Sequence, residues 1–136
     1  MTADLWERLF DWPKTDLHCH LDGSLRASTL IELASEMRLP TGTWSEAAVR
    51  AAVAPPADNG SLEAYLRAFR LTVEVLQTPR ALRRVARELV EDAADENVWV
   101  LEVRFCPFLH RAAGLRPEAA VDAVLEGLSQ GAAARS

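Results

Sequence analysis

The stretch TDLHCHLDGSL, Thr15 to Leu25, sets Asp16, His18, His20 and Asp22 at every second position. Two histidines at i and i+2 of a strand can aim a ring nitrogen at one point, because strand side chains alternate between faces. Zn²⁺ accepts such nitrogens at ~2.0–2.1 Å, and a catalytic zinc takes three protein ligands with one position open. Bound in this way it lowers the pKa of water from ~15.7 toward ~7. His18 and His20 are therefore part of a site, and at least one more His or carboxylate is needed. An HxH pair also arises by chance; the flanking Asp16 and Asp22, the apolar alternate positions and the glycine turn at Gly23 favour the site.

Strict alternation puts Asp16, His18 and His20 on one face, and Thr15, Leu17, Cys19 and Leu21 on the other. Cys19 then reads as a core thiol, not a ligand. The only other histidine, His110, follows the second strand; a lone loop histidine is expected in solvent. Glu102 and Arg104 share a strand face and read as a structural ion pair.

Elements must hold these residues in place. A short helix spans Asp4 to Asp11 and stops at Pro13. Lys14 to His20 is the first strand, and LDGSL a turn. A helix runs from Ala27 to Arg38, with Ser24 or Ser28 as its cap. Ser45 caps a short helix to Val53. APPADNG, Ala54 to Gly60, is a loop. Ser61 to Gln77 forms a helix whose stripe is Leu62, Tyr65, Leu66, Phe69, Val73 and Leu76, most simply core packing. Thr78 and Pro79 open the next helix, with Leu82, Val85, Ala86, Leu89, Val90 and Ala93 inward. VWVLEVRF, Val98 to Phe105, is the second strand. Pro117 starts a last helix with Ala120, Val121, Val124, Leu125 and Leu128 inward.

Strands separated by helices imply a parallel sheet. Both strands carry their polar residues toward their C-terminal ends, where a (β/α)8 barrel places chemistry. The expected fold is α/β: the N-terminal portion of a (β/α)8 TIM barrel with extra helices after the first strand. A whole barrel takes roughly 250 residues, and this chain has 136, so residues 1–136 are expected to be a truncated part of one domain.

The chain is 49% hydrophobic and 26% charged, ordinary for a globular domain. Its net charge of −5 argues against nucleic acid as a partner. Two distant cysteines make no disulfide framework. With no signal peptide and no bilayer-length apolar run, a cytoplasmic location and no membrane partner are expected.

PKTDLHCHLDGSL, Pro13 to Leu25, closely resembles the opening motif of the adenosine deaminase family, metal-dependent hydrolases of the amidohydrolase superfamily. SLEAYLRAF, Ser61 to Phe69, ELVEDAADENVWVLEVRFCP, Glu88 to Pro107, and GLRPEAAVDAVLEGLSQG, Gly114 to Gly131, are similar to later parts of the same pattern. The resemblance implies a barrel holding one Zn²⁺ and hydrolytic loss of the 6-amino group of adenosine, or a related 6-aminopurine nucleoside, as ammonia. It implies His18 and His20 as metal ligands, and His20 beside the substrate. Asp22 would accept a hydrogen bond from the ribose 5′-hydroxyl, and Leu62, Tyr65, Leu66 and Phe69 would form an apolar lid. The family's remaining ligands and its proton-shuttling glutamate come later in its pattern. No catalytic residue is therefore assigned in this chain, and the isolated chain is expected to be inactive. The HxE and PCxxC pattern of the zinc base deaminases is not present. The alternative reading is a non-catalytic half-barrel, associating with itself or a partner through uncovered apolar faces. A cyclic-amide amidohydrolase also begins with HxH, but LDGSL fits it poorly.

Overall fold

A computed structural model of the chain describes residues 3–54 and 61–135. The order is α1 (Ala3–Asp11), β1 (Lys14–His20), a 3-10 turn at Leu21–Gly23, α2 (Ala27–Glu36), a 3-10 turn at Pro40–Thr43, α3 (Glu46–Val53), α4 (Leu62–Val75), α5 (Pro79–Asp95), β2 (Val98–Arg104), a 3-10 turn at Pro107–His110 and α6 (Pro117–Ala133). Most of the loop expected at Ala54 to Gly60 lies outside the described residues. No described helix is long and apolar enough to cross a membrane.

The local signals act as their chemistry dictates. Ser45 Oγ accepts the Ala48 amide at 3.2 Å, and Thr78 Oγ1 accepts the Ala81 amide at 3.2 Å, each satisfying a free donor in the first helical turn. The cap expected for α2 is not made. Arg26 holds its N-cap position without a side-chain bond, and Ser24 Oγ instead donates to the His20 carbonyl at 2.6 Å. The turn after β1 has first claim on Ser24, because that hydroxyl lies beside the end of the strand. At its far side β1 is anchored by Lys14. Its Nζ reaches the carbonyls of Phe10, Trp12 and Glu96 at 2.6, 3.1 and 2.7 Å, and its amide donates to Asn97 at 2.8 Å. Asn97 has φ 58°, the left-handed conformation that Asn tolerates just past a helix end.

The two strands form a two-stranded parallel sheet. Lys14 lies opposite Val98, Thr15 opposite Val100, Asp16 opposite Leu101, Cys19 opposite Val103 and His20 opposite Arg104. Three steps along β1 match two along β2 between Asp16 and Cys19, so β1 bulges there. The bulge overturns strict alternation. Asp16 pairs in register with Leu101 and Cys19 with Val103, the side that packs on the helices. Leu17, expected inward, is 56% exposed, and the register places it on the open face with Thr15 and Val100. The Asp16 carboxylate accepts the His18 amide at 3.1 Å inside the bulge.

The core lies between the helices and one face of the sheet. Leu21, Leu30, Leu76, Leu82 and Val85 are fully buried, and Leu101, Val103 and Phe105 pack against them. On α4 the expected stripe holds only at its C-terminal half. Leu76, just past the helix end, is buried and Phe69 and Val73 are half-buried, while Leu62 and Leu66 are 71% and 51% exposed. On α6 the buried positions are Ala120, Ala123, Val124, Gly127 and Gly131, and Leu125 is exposed. The small residues let α6 approach α5 closely: a Cβ on Gly127 would lie 2.2 Å from the Arg83 carbonyl oxygen.

Charges stitch α2 to α5. Arg26 makes a bidentate pair with Asp92, with Nε donating to Oδ2 at 3.1 Å and Nη2 to Oδ1 at 2.5 Å, and it also reaches Glu91. These bonds raise its pKa. Glu88 is buried but fully engaged, accepting Thr29 Oγ1 at 2.7 Å and Arg84 Nε at 2.8 Å. A buried charge is tolerated when paired in this way.

Replacing Gly127 by Ala should destabilise the chain by about 1–3 kcal/mol through overpacking, although Ala favours a helix interior by ~1 kcal/mol. Urea unfolding of the two proteins measures the difference. Equal midpoints would contradict the close α5–α6 approach.

Candidate metal and nucleoside site

His18 and His20, two residues apart at the end of β1, present their imidazoles on the same side. His18 Nε2 and His20 Nε2 stand 3.2 Å apart, with ring centroids at 5.1 Å. Two ligands at ~2.05 Å from one ion, at a tetrahedral angle, lie ~3.3 Å apart, so the spacing suits a shared Zn²⁺. It equally suits an N–H···N hydrogen bond between two neutral rings. Among the described residues, no third His, Cys, Asp or Glu completes a metal-binding group.

Both rings line a cleft of about 540 Å³ at the C-terminal end of β1. Its walls come from the Leu21–Gly23 turn, from α2 and α3 at Leu30, Val49 and Arg50, and from α4 at Phe69 and Thr72. Phe69 meets His20 edge-on, with centroids at 6.3 Å and an interplanar angle of 69°, and its ring edge rests 3.4 Å from the Cβ position of Gly23. Phe69 is thus the expected lid residue that reaches the cleft. Leu62 and Leu66 stand exposed on the same helix, and the side chain of Tyr65 lies outside the described residues.

Asp22 is buried at 7% exposure, held in the first 3-10 turn. Its Oδ1 lies 3.7 Å from His20 Nδ1 and has no hydrogen-bond partner among the described residues. A buried carboxylate oxygen left free in a cleft wall is costly in structure alone and is available to a ligand hydroxyl. Asp16 lines the same cleft as the histidines, with its carboxylate accepting the His18 backbone amide. Cys19 Sγ is half-buried, 3.4 Å from Ser24 Oγ, and packs on the core as a free thiol. Glu102 and Arg104 do pair, at 3.7 Å, but both are more than half exposed on the open face of the sheet.

His110 corrects another expectation. It is 1% exposed, and neither ring nitrogen has a hydrogen-bond partner among the described residues. Gln77 explains the placement. Its Nε2 donates to the Leu109 carbonyl at 3.1 Å and its Oε1 accepts the Ala112 amide at 2.9 Å, which clamps the turn after β2 onto the end of α4. The ring of Phe105 lies 5.9 Å from that of His110. Burial pushes the His110 pKa down, against the backbone of Leu76 and the charge of Asp22, which act the other way. In the sequence the visible cue was Pro107, which starts a tight turn and not a free loop.

A model of the adenosine deaminase family matches residues 13–136. The chain belongs to the adenosine deaminase family. It is similar to the adenosine deaminase of Vibrio vulnificus, 45% identical over 121 residues, covering 89% of this chain and 37% of that one. The adenosine deaminase of Clostridium botulinum is 42% identical over 118 residues, covering 87% and 36%. This chain therefore spans little more than a third of the curated relatives it matches. Among solved structures, an amidohydrolase from Burkholderia ambifaria with bound Zn superposes with a TM-score of 0.82 at 30% identity, covering 98% of this chain and 35% of that one. The Arabidopsis ADAL complexed with IMP gives 0.70 at 34% identity, covering 90% and 35%. The fold is the corresponding part of a TIM barrel of this superfamily, with two of the barrel's strands.

Above about pH 6.5, the ordinary histidine value, both folded and unfolded chains keep His110 neutral. Below it the unfolded chain takes up a proton that the buried ring resists, so this residue's contribution to stability falls as pH falls. Urea midpoints measured from pH 7.5 to 5 should drop less steeply in His110→Leu than in the native chain. An unchanged slope would contradict the burial of His110.

Proposed function

We propose that residues 1–136 are the opening part of a metal-dependent adenosine deaminase barrel. The reaction is the hydrolytic deamination of adenosine, or a related 6-aminopurine nucleoside, to inosine and ammonia. The observation that carries this reading is the pair of Nε2 atoms 3.2 Å apart, on the wall of the cleft that also holds the unpartnered Asp22 oxygen.

His18 and His20 are the residues that would hold the Zn²⁺, and their spacing fits it. The bound ion would supply Lewis acidity and acidified water. The chain's own residues do the rest. Asp22 accepts a hydrogen bond from a ribose hydroxyl and so orients the nucleoside. His20 borders the base, and Phe69 closes the apolar side of the cleft and sheds water from it. The other lid residues proposed from the resemblance, Leu62, Tyr65 and Leu66, precede Phe69 on α4, from which they would fold over a bound base. The proton-transfer group and the remaining ligands come from polypeptide beyond this segment.

A nucleotide substrate is the second reading, favoured by Arg50 on the cleft wall. That guanidinium is already paired with Glu46 at 2.9 Å, and Asp22 repels a 5′-phosphate. The uncharged nucleoside is therefore preferred.

Isothermal titration should show Zn²⁺ binding that weakens at least tenfold in His18→Ala and in His20→Ala, while Asp16→Asn binds as the native chain does. Equal affinity in all four proteins would refute the ligand pair. With Zn²⁺ and adenosine, residues 1–136 alone should release no ammonia above background; turnover comparable to that of a full-length deaminase would refute the assignment of catalysis to other polypeptide.

A further inference from the structure

Thr72 on α4 is 6% exposed, with Val75 and Leu76 buried just beyond it, and it lines the cleft together with Phe69. Burying a hydroxyl costs free energy unless it is bonded, and a valine of nearly the same outline carries no such cost. The Thr72 hydroxyl is bonded within its own helix: Oγ1 donates to the Phe69 carbonyl at 3.0 Å. A side-chain bond onto the i−3 carbonyl tilts that carbonyl out of the helical ladder and bends the helix at that turn.

The turn shaped in this way is the one that aims Phe69. The Phe69 ring edge rests 3.4 Å from the Cβ position of Gly23, and its plane meets the His20 ring at 69° with centroids 6.3 Å apart. Such contacts have short range: a gap of about 0.5–1 Å forfeits a quarter to a half of the attraction. Thr72 stands between Phe69 and the end of α4 that Gln77 holds to the turn after β2.

We propose that Thr72 is a positioning residue of the cleft: its hydroxyl, bonded to the Phe69 carbonyl, sets where the Phe69 ring stands against Gly23 and His20. The opening between that ring and the histidine pair then follows from one hydroxyl that itself need touch no ligand. The inference rests on the nucleoside reading only for its consequence, a ring set to cover a bound base. Its test reads the free chain without ligand or metal, so either can fail while the other stands.

The test is NMR of residues 1–136 and four variants. Thr72→Val keeps the outline and removes the bond, and Thr72→Ser keeps the bond and removes a methyl. Thr72→Ala differs from Thr72→Ser only in the hydroxyl, and Phe69→Leu marks complete loss of the ring. The native chain and Thr72→Ser should share the nuclear Overhauser contact between the Phe69 ring and Gly23, and the same His20 ring-proton shifts. Thr72→Val and Thr72→Ala should lose that contact, move the His20 protons toward their Phe69→Leu positions, and shift the Phe69 carbonyl carbon upfield. His110, packed on Phe105, should keep its shifts in every variant, which shows that the fold is retained. The proposal is overturned if Thr72→Val and Thr72→Ala keep the Gly23 contact and the His20 shifts. It is equally overturned if Thr72→Ser loses them as the other two do, which assigns the effect to the methyl group and not the hydroxyl.

Discussion

The site rests on two histidines two residues apart at the end of β1, beside one local departure from regular strand geometry. In a flat strand, Leu17 and His18 would face opposite ways, and Asp16 would crowd the histidines. The bulge between Asp16 and Cys19 adds a residue to β1, and the Asp16 carboxylate fixes it by accepting the His18 amide. That one bond satisfies a donor which the disturbed ladder leaves free. The two imidazoles are left side by side, with the buried Asp22 as the adjacent carboxylate.

The remaining elements serve to hold β1 at a fixed depth. Lys14 gathers three carbonyls at its start, and Ser24 ties its end to the following turn. Behind it, α5 and α6 meet through Ala and Gly positions at backbone distance, while Arg26 and Glu88 lock α2 onto α5. These contacts lie on the helical side of the sheet; among the described residues Leu17 and Val100 on the other side are exposed.

Much of this was written in short-range pattern. The HxH pair, the caps at Ser45 and Thr78, the order of strands and helices, and the barrel class are properties of residue type and spacing, and they are present in the structure. What escaped depends on partners distant in sequence. The bulge is a balance between one side-chain bond and the register set by β2. The burial of His110 follows from Gln77, 33 positions earlier. Apolar periodicity favoured Leu125 on α6, whereas the buried seam runs through Gly127 and Gly131, residues with no hydrophobic signal of their own. Leu62 and Leu66 keep helical spacing with the core positions of α4, yet they extend past the surface that would cover them.

Gln77 has a mechanical consequence. A single buried amide spans the end of α4 and the segment after β2, and it also bonds back to the Val73 carbonyl at 2.6 Å. Because both ends of that amide are occupied, the base of α4 is welded to the rim of the sheet. The C-terminal end of α4 is thereby held to the turn that follows β2. One residue, Gln77, thus couples the helix that carries Phe69 to the segment that buries His110.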